Sequence, residues 1–430
     1  MEQKRQPKIG IFTTFTSFNS EYSLCTVVEQ HLAMLLKHGY EPVLFTLDSF
    51  TDSKKIMEGV DVRAVIPQLI LEPYQQNNLV NFEADVTIAQ KAMEEHMADI
   101  DVMLTHDIIF QNSFLPYNEA MRRAIKSTLS HVKWLHWMHS GPSTRPRMDG
   151  SPYDNLYTLP ANSRLIYMNH TDKLRAAEMY AVPEHEVRVI YNPMDPRLLF
   201  GSHPLTKHLI DKYDLLSADV IDIYPLSTTR MGHAGKQIEK VIKLMGNVKK
   251  LGKTVRIVVC NAHANGEREK KAIESMYLLA GLEGIEKNEL IFTSLEQVPN
   301  WEHGVPHEVI IDLFLLSNVF IFPTVSENCP LVLLEAMACK NLIVSNFNFP
   351  ALREFTQEHA LYFQFSSLVQ NVNYAEGMDK YFEDAAKITI SRLENDMALK
   401  AQERLRKTFN VEYIFKQQLE PAIKEIYYEI

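Results

Sequence analysis

Two carboxylates, Glu327 and Glu335, stand eight residues apart where the sequence predicts a strand, a turn and a helix. The apolar run 319–322 is typical of a buried strand, and Pro330 suits the first turn of a helix, where its missing N–H has no intrahelical partner. Open α/β sheets bind ligands at the carboxyl ends of their strands, and carboxylates accept hydrogen bonds in pairs, as sugar and ribose hydroxyls require. From the spacing alone, a structural interpretation is favoured, in which Glu327 caps the helix and Glu335 is solvated.

A second candidate site is the loop 227–236, which joins an apolar strand to an amphipathic helix at 237–251. It contains two glycines together with Arg230 and Lys236. Free amides at a helix N-terminus, the helix dipole and two cations would bind a diphosphate. Surface loops are rich in cations, so without further support this pair carries little weight.

Two histidines, His106 and His139, follow predicted strands at 101–105 and 132–138. Their place at the ends of strands suggests a role in a site, although a lone histidine is more often structural. Ser23, at the start of the first predicted helix, is a further candidate on the acceptor side of such a site.

The segment 120–148 is basic in an otherwise acidic chain. It includes Arg122 and Arg123 and two of the three tryptophans, Trp134 and Trp137. A local positive charge could bind an anionic acceptor or a membrane surface. The alternative is a solvated helix face beside two core tryptophans on a strand.

The residues 326–338, SENCPLVLLEAMA, resemble the E-x7-E motif of the retaining glycosyltransferases of family 4, in its E-x-x-P variant. The resemblance implies the GT-B fold, with two Rossmann-like, doubly wound α/β domains facing a cleft. It also implies that Glu327 contacts the donor sugar and Glu335 the nucleotide ribose. The neighbours of Glu327 that it assigns to the donor site are Asn328, Cys329, Pro330 and Leu331.

The same resemblance assigns roles outside this motif. His139 matches the histidine that faces the anomeric centre of the donor, and Arg230 and Lys236 match the cations that neutralise the diphosphate leaving group. The loop at 20–23 lacks the usual glycine pair, and only glycine allows the closest backbone approach to a ligand.

Composition limits the class of protein. With 430 residues the chain fits two domains, and 46% hydrophobic and 23% charged residues are typical of a globular protein. No window is apolar enough for a membrane helix, and Met1 leads into a polar segment without the pattern of a signal peptide. Four scattered cysteines fit a reducing cytosol, and the net charge of −10 disfavours general nucleic-acid binding.

These patterns predict a domain organisation. Residues 1–200 form an N-terminal, acceptor-side domain, 201–217 a linker and 218–410 a C-terminal domain for the nucleotide-sugar donor. The last helix, about 411–430, packs back on the first domain.

The predicted function is retaining, metal-independent transfer of a sugar from a nucleotide sugar, UDP- or GDP-linked, to an unidentified acceptor. No cofactor is expected, and the predicted location is cytoplasmic, with peripheral association at a membrane as an option. Other interpretations are a non-catalytic nucleotide-sugar binding protein and an epimerase or phosphorylase of the same fold. The acceptor (a saccharide, a lipid or a nucleic acid) and the oligomeric state stay open.

Overall fold

The computed structural model describes residues 5–18, 23–51, 58–139, 150–195, 203–227, 235–262, 266–296, 298, 304–325, 330–365 and 378–428. The chain divides into two compact units. The first consists of residues 1–195 together with 409–430, and the second of residues 196–408.

The first unit contains a seven-stranded parallel sheet in the order β3-β2-β1-β4-β5-β6-β7. Its strands are β1 (Ile9–Phe12), β2 (Pro42–Leu47), β3 (Asp61–Ile66), β4 (Val102–His106), β5 (Lys133–Trp137), β6 (Ser163–Tyr167) and β7 (Val187–Val189). Its intervening helices are α1 (Ser23–Lys37), α2 (Glu72–Gln75), α3 (Phe82–His96), α4 (Leu115–Lys126) and α5 (Lys173–Met179).

The second unit contains a six-stranded parallel sheet in the order β10-β9-β8-β11-β12-β13. Its strands are β8 (Val220–Ser227), β9 (Val255–Ala262), β10 (Leu290–Phe292), β11 (Val319–Phe322), β12 (Leu342–Asn346) and β13 (Leu361–Phe363). Its helices are α6 (Pro204–Tyr213), α7 (Ile238–Lys250), α8 (Glu267–Leu282), α9 (His307–Leu316), α10 (Leu331–Ala338), α11 (Ala351–Thr356), α12 (Met378–Asn395) and α13 (Met397–Thr408).

The central strands are continuous apolar runs because a parallel sheet is covered by helices on both faces. Every residue of β1, β2 and β11 is buried, whereas in the edge strand β3 only Ile66 is buried and the other residues are partly buried or exposed. The predicted fold class, two Rossmann-like parallel sheets with interleaved helices, is confirmed.

The predicted linker 201–217 is wrong for its described part, residues 203–217, which belong to the second unit. Helix α6 starts at Pro204, and the ring nitrogen of His203 accepts a hydrogen bond from the Leu205 N–H. The Thr206 hydroxyl donates to Asp312 Oδ2 at 3.0 Å, and Leu209 lies in the core. The proline start and the apolar face of this helix are visible in the sequence, so the signal was available.

The C-terminal segment belongs to the first unit. Helix α14 (Val411–Ile414), a π-helical turn (Phe415–Leu419) and helix α15 (Glu420–Tyr428) follow one another without a break. The ring of Phe415 stacks on His38 at the end of α1, with ring centroids 3.8 Å apart. This segment therefore completes the apolar layer that covers α1 and β1.

None of the helices that the structure describes is both long and apolar enough to cross a membrane.

Candidate functional site

The two motif loops of the second unit meet at the carboxyl edge of its sheet. The carbonyl oxygen of Gly235, which ends the first loop, accepts from the Thr324 hydroxyl at 3.1 Å and from the Val325 N–H at 2.9 Å. The Gln237 side chain donates to the carbonyl oxygen of Pro323 at 2.5 Å. The end of the cationic loop is thus hydrogen-bonded to the start of the loop that carries Glu327.

Lys236 precedes helix α7, and its side chain lies beside the end of strand β11. Its carbonyl oxygen accepts from the Tyr224 hydroxyl at 2.5 Å, which ties the backbone to strand β8. Its ammonium nitrogen is 5.7 Å from the centroid of the Phe322 ring, within the range of a cation–π attraction. A cation is therefore placed where open α/β sheets bind ligands.

Asn346 supports the same edge and was missed by the sequence analysis. It ends strand β12 and is fully buried. Its amide donates to the carbonyl oxygen of Thr324 at 3.1 Å, and its side-chain oxygen accepts from the Phe365 N–H at 3.3 Å. The only sequence signal is a polar residue that ends an apolar strand, which many strands share.

Glu335 lies on α10, as predicted, and is partly exposed. Its Oε1 is 2.8 Å from Nε2 of His307, at the start of α9, whose side chain is exposed. His307 is a second residue that the sequence analysis missed, since 28 residues separate it from its partner. Of the remaining motif residues, Pro330 is buried and Leu331 is exposed.

Several predicted site residues lie outside the described residues: Arg230, Glu327, Asn328 and Cys329. Among the residues that the structure does describe, no group of three His, Cys, Asp or Glu side chains could hold a metal ion.

A buried carboxyl group lies near the amino end of strand β8. Asp222 Oδ1 accepts the Ile321 N–H at 2.8 Å, while Oδ2 is buried without a partner among the described residues. Burial raises the pKa of Asp222 to about 8 because the charged form loses its hydration. The group is paired by register with Val319, at the start of β11, so it lies away from the carboxyl edge.

In the first unit, the sheet brings the two predicted histidines into contact. His106 ends β4 and His139 follows β5, its neighbour in the sheet. Nδ1 of His106 is 2.8 Å from Nε2 of His139, which is a hydrogen bond. Burial lowers the pKa of both rings, and the Asp107 carboxylate partly offsets this effect at His139.

Asp107 holds the ends of these two strands together. Its backbone N–H donates to the carbonyl oxygen of Trp137 at 2.8 Å, and its Oδ1 accepts the His139 N–H at 2.6 Å. The residue has a φ of 59°, in the left-handed region that is uncommon for residues other than glycine. Such a conformation persists only where its surroundings fix it, and it is frequent at functional sites.

The two arginines predicted on the acceptor side are used by the fold, which argues against that assignment. Arg122 is buried and donates from Nε to Asn118 Oδ1 at 2.8 Å and from Nη2 to the carbonyl oxygens of Asn155, at 2.6 Å, and Thr158. Arg123 forms ion pairs with the carboxylates of α3 and α4, Glu83 (2.9 Å) and Glu119 (2.8 Å).

The two tryptophans of the same segment, Trp134 and Trp137, are fully buried, as the structural interpretation predicts. Ser23, the remaining candidate, is the exposed first residue of α1.

Comparison with known proteins finds a family match within the second unit. Residues 222–404 match the family model "Glycosyl transferases group 1". This segment contains both motif loops and helix α10, and the predicted enzyme class, glycosyltransferase, is confirmed at that level. No curated protein matches the chain significantly.

Among solved structures, the chain is similar to a glycosyltransferase from Rickettsia africae ESF-5, with 15% identity, coverage of 97% and 98% of the two chains and a TM-score of 0.36. It is also similar to the sucrose-phosphate synthase of Thermosynechococcus elongatus (15% identity, 99% and 100%, TM-score 0.35). Anabaena HepE in complex with UDP-glucose is a third (12% identity, 97% and 99%, TM-score 0.35).

Proposed function

We propose that the protein is a retaining glycosyltransferase, which moves a sugar from a nucleotide-sugar donor to an acceptor without a metal ion. The observation that carries this proposal is the family match over residues 222–404. In support, the segment's two motif loops are hydrogen-bonded to one another through Gly235 and Thr324 at the carboxyl edge of the sheet.

Arg230 and Lys236 are proposed to stabilise the departing diphosphate. Negative charge develops on the leaving group as the glycosidic bond breaks, and fixed cations lower the energy of that state. The position of Lys236 beside Phe322, at the end of β11, supports this role. In this proposal the two side chains supply the positive charge that a divalent ion supplies in other transferases.

Glu327 and Glu335 are proposed to accept hydrogen bonds from the donor sugar and from the ribose, respectively. The partial exposure of Glu335 leaves room for a ribose, and His307 holds one of its oxygens at 2.8 Å. The neighbours of Glu327, namely Asn328, Cys329, Pro330 and Leu331, line the donor in this proposal. His139 is proposed to orient the sugar near its anomeric carbon.

The proposed donor is a UDP- or GDP-sugar, the proposed location is the cytoplasm, and the acceptor is unassigned. An anionic lipid or nucleic acid bound through Arg122 and Arg123 is disfavoured by the hydrogen bonds and ion pairs of these side chains.

A thermal-shift screen with UDP-, GDP-, ADP-, CDP- and dTDP-sugars tests the proposal. A ligand that binds only the folded chain raises its melting temperature by mass action. We expect one nucleotide to stabilise the native chain and to stabilise neither the Arg230→Ala nor the Glu335→Ala variant. If no nucleotide sugar raises the melting temperature, the proposal is wrong.

A further inference from the structure

Three histidines of the first unit form a continuous row of rings. His31 on α1 stacks on His106 with ring centroids 5.4 Å apart, and His106 stacks on His139 at 5.1 Å. Trp137 packs against His31 and His106 at 5.1 and 5.5 Å. The row runs from the fully buried His31 to the partly buried His139, at the end of the sheet.

All three rings are neutral at physiological pH. Burial lowers the pKa of His31 to about 3 and that of His106 well below its ordinary value. The pKa of His139 is also lowered by burial, and the carboxylate of Asp107 only partly opposes this. Among the described residues, the Trp137 indole packs against the row and Asp107 accepts the His139 backbone N–H. Asp107 in turn accepts from the Gln111 amide at 3.0 Å.

A neutral imidazole has one N–H donor and one bare acceptor nitrogen, so the hydrogen bond between His106 and His139 has a direction. Nε2 of His106 is buried without a partner among the described residues. If that atom carried the proton, an N–H would be buried without an acceptor, which is rarer and costlier than an unpaired acceptor. The proton of His106 therefore belongs on Nδ1, which donates to Nε2 of His139.

We propose that His106 is a positioning residue that holds His139 as the Nδ1–H tautomer. Because Nε2 of His139 accepts from His106, its single proton resides on Nδ1. Among the described residues, the side chain of His139 has no other hydrogen-bond partner, so its Nδ1–H is the donor that meets an incoming oxygen. In the proposed transferase, on which this part of the inference rests, that oxygen is a hydroxyl of the donor sugar.

His31 differs from His106 and His139 in that its ring packs against the row without forming a hydrogen bond among the described residues. Both of its ring nitrogens are buried without partners among the described residues, and its ring covers the inner face of His106. A neutral ring at this position keeps the row free of charge, and among the described residues the side chain of His106 is hydrogen-bonded to His139 alone. The pair of His106 and His139 is thus fixed by packing on one side and by Asp107 on the other.

The test is nitrogen NMR of the full chain with ¹⁵N-labelled histidine at pH 8, with the signal of His139 assigned by its loss in His139→Gln. Nitrogen shifts distinguish a protonated from a bare ring nitrogen. In the native chain we expect the proton on Nδ1 of His139. A His106→Asn variant, which keeps an amide donor near the position of Nδ1, should preserve this tautomer.

A His106→Leu variant removes the donor, and we expect the His139 proton to move to Nε2 or to exchange between both nitrogens. His136 on β5 is an internal reference, since its bonds to Thr105 (2.7 Å) and Ser163 (3.1 Å) do not involve the row. A native His139 with its proton on Nε2 would overturn the inference, and so would an unchanged tautomer in His106→Leu. Because the measurement needs no turnover, failure of the proposed transferase activity is seen separately, in the nucleotide-sugar screen.

Discussion

The carboxyl edge of the first unit's sheet carries two histidine rings in contact beside the Asp107 carboxylate, whereas the same edge of the second unit's sheet carries Lys236, with Glu335 on helix α10. His106 and His139 are kept neutral by burial, while Lys236 and Glu335 are partly exposed. Both edges are built alike, from parallel strands that end side by side. In the proposed function, the same scaffold serves two kinds of chemistry, a neutral hydrogen-bond donor in one unit and charge stabilisation in the other.

The two units also differ in the kind of ionisable side chain that they bury. In the first, His31 and His136 are buried without charge and would gain protons on unfolding in acid. In the second, Asp222 is buried and would lose a proton on unfolding at neutral pH. These buried groups therefore contribute to stability with opposite dependence on pH.

The largest effect is expected from a comparison of two arginine variants, one in each unit. Replacing Arg230 by Ala should lower the turnover of the nucleotide sugar by about 100-fold or more, the effect of losing one group that stabilises developing negative charge. Arg123→Ala, in the first unit, should leave turnover unchanged because Arg123 is paired with Glu83 and Glu119. The rate of release of the nucleoside diphosphate measures the turnover of both variants. Equal losses in the two variants would contradict the division of roles.

A second comparison lies within helix α4. Arg122→Ala should reduce the free energy of unfolding by about 2–4 kcal/mol, since it removes a buried guanidinium together with its hydrogen bonds to Asn118 and to the carbonyl oxygens of Asn155 and Thr158. Arg123→Ala removes only surface ion pairs and should cost about 1 kcal/mol or less. Urea unfolding of the two variants tests the difference. An Arg122→Ala chain as stable as Arg123→Ala would show that Arg122 is not structural.

These arginines show what the sequence could and could not predict. Strands and long helices were predictable because buried apolar runs and helical periodicity are local signals, as in β11 and α7. The burial of Arg122 depends on carbonyl oxygens 33 and 36 residues away, which no local pattern reveals. In the same way, the contact of His106 with His139 follows from the neighbouring positions of β4 and β5 in the sheet.

The pH dependence of the second unit is expected to come from Asp222. Its pKa is about 8 in the folded chain and about 3.9 in the unfolded one, so between these values only the folded state holds the proton. The free energy of unfolding therefore falls as pH rises from 4 to 8. Asp222→Asn should remove this slope while keeping an acceptor for the Ile321 N–H. Urea unfolding of the native chain and the variant at pH 6 and 8 measures the change in the free energy of unfolding with pH. An equal change in both chains would contradict the assignment of this pH dependence to Asp222.

The contribution of His31 in the first unit to the free energy of unfolding should depend on pH in the opposite direction. It falls in acid and changes less near neutral pH. The pKa of His31 is about 3 when folded and about 6.5 when unfolded, so between these values the unfolded state binds the extra proton. Stability therefore falls as pH drops below 6.5. His31→Phe, which fills similar space without a titratable ring, should reduce this loss. Unfolding at pH 7 and 5 tests it, and an unchanged acid dependence in the variant would argue against a neutral, buried His31.

The central claim is that the cationic loop of the second unit binds a diphosphate. Its most direct test is calorimetric titration of the nucleoside diphosphate from the best-stabilising donor into the native chain, Lys236→Met and Lys253→Met. Lys253 is a matched control because it lies in the same unit, outside the two motif loops, and forms an ion pair with Glu394. We predict that Lys236→Met weakens binding about tenfold or more, the effect expected for one charge-assisted contact, and that Lys253→Met binds as the native chain does. Native affinity in Lys236→Met, or equal weakening in both variants, would contradict the account.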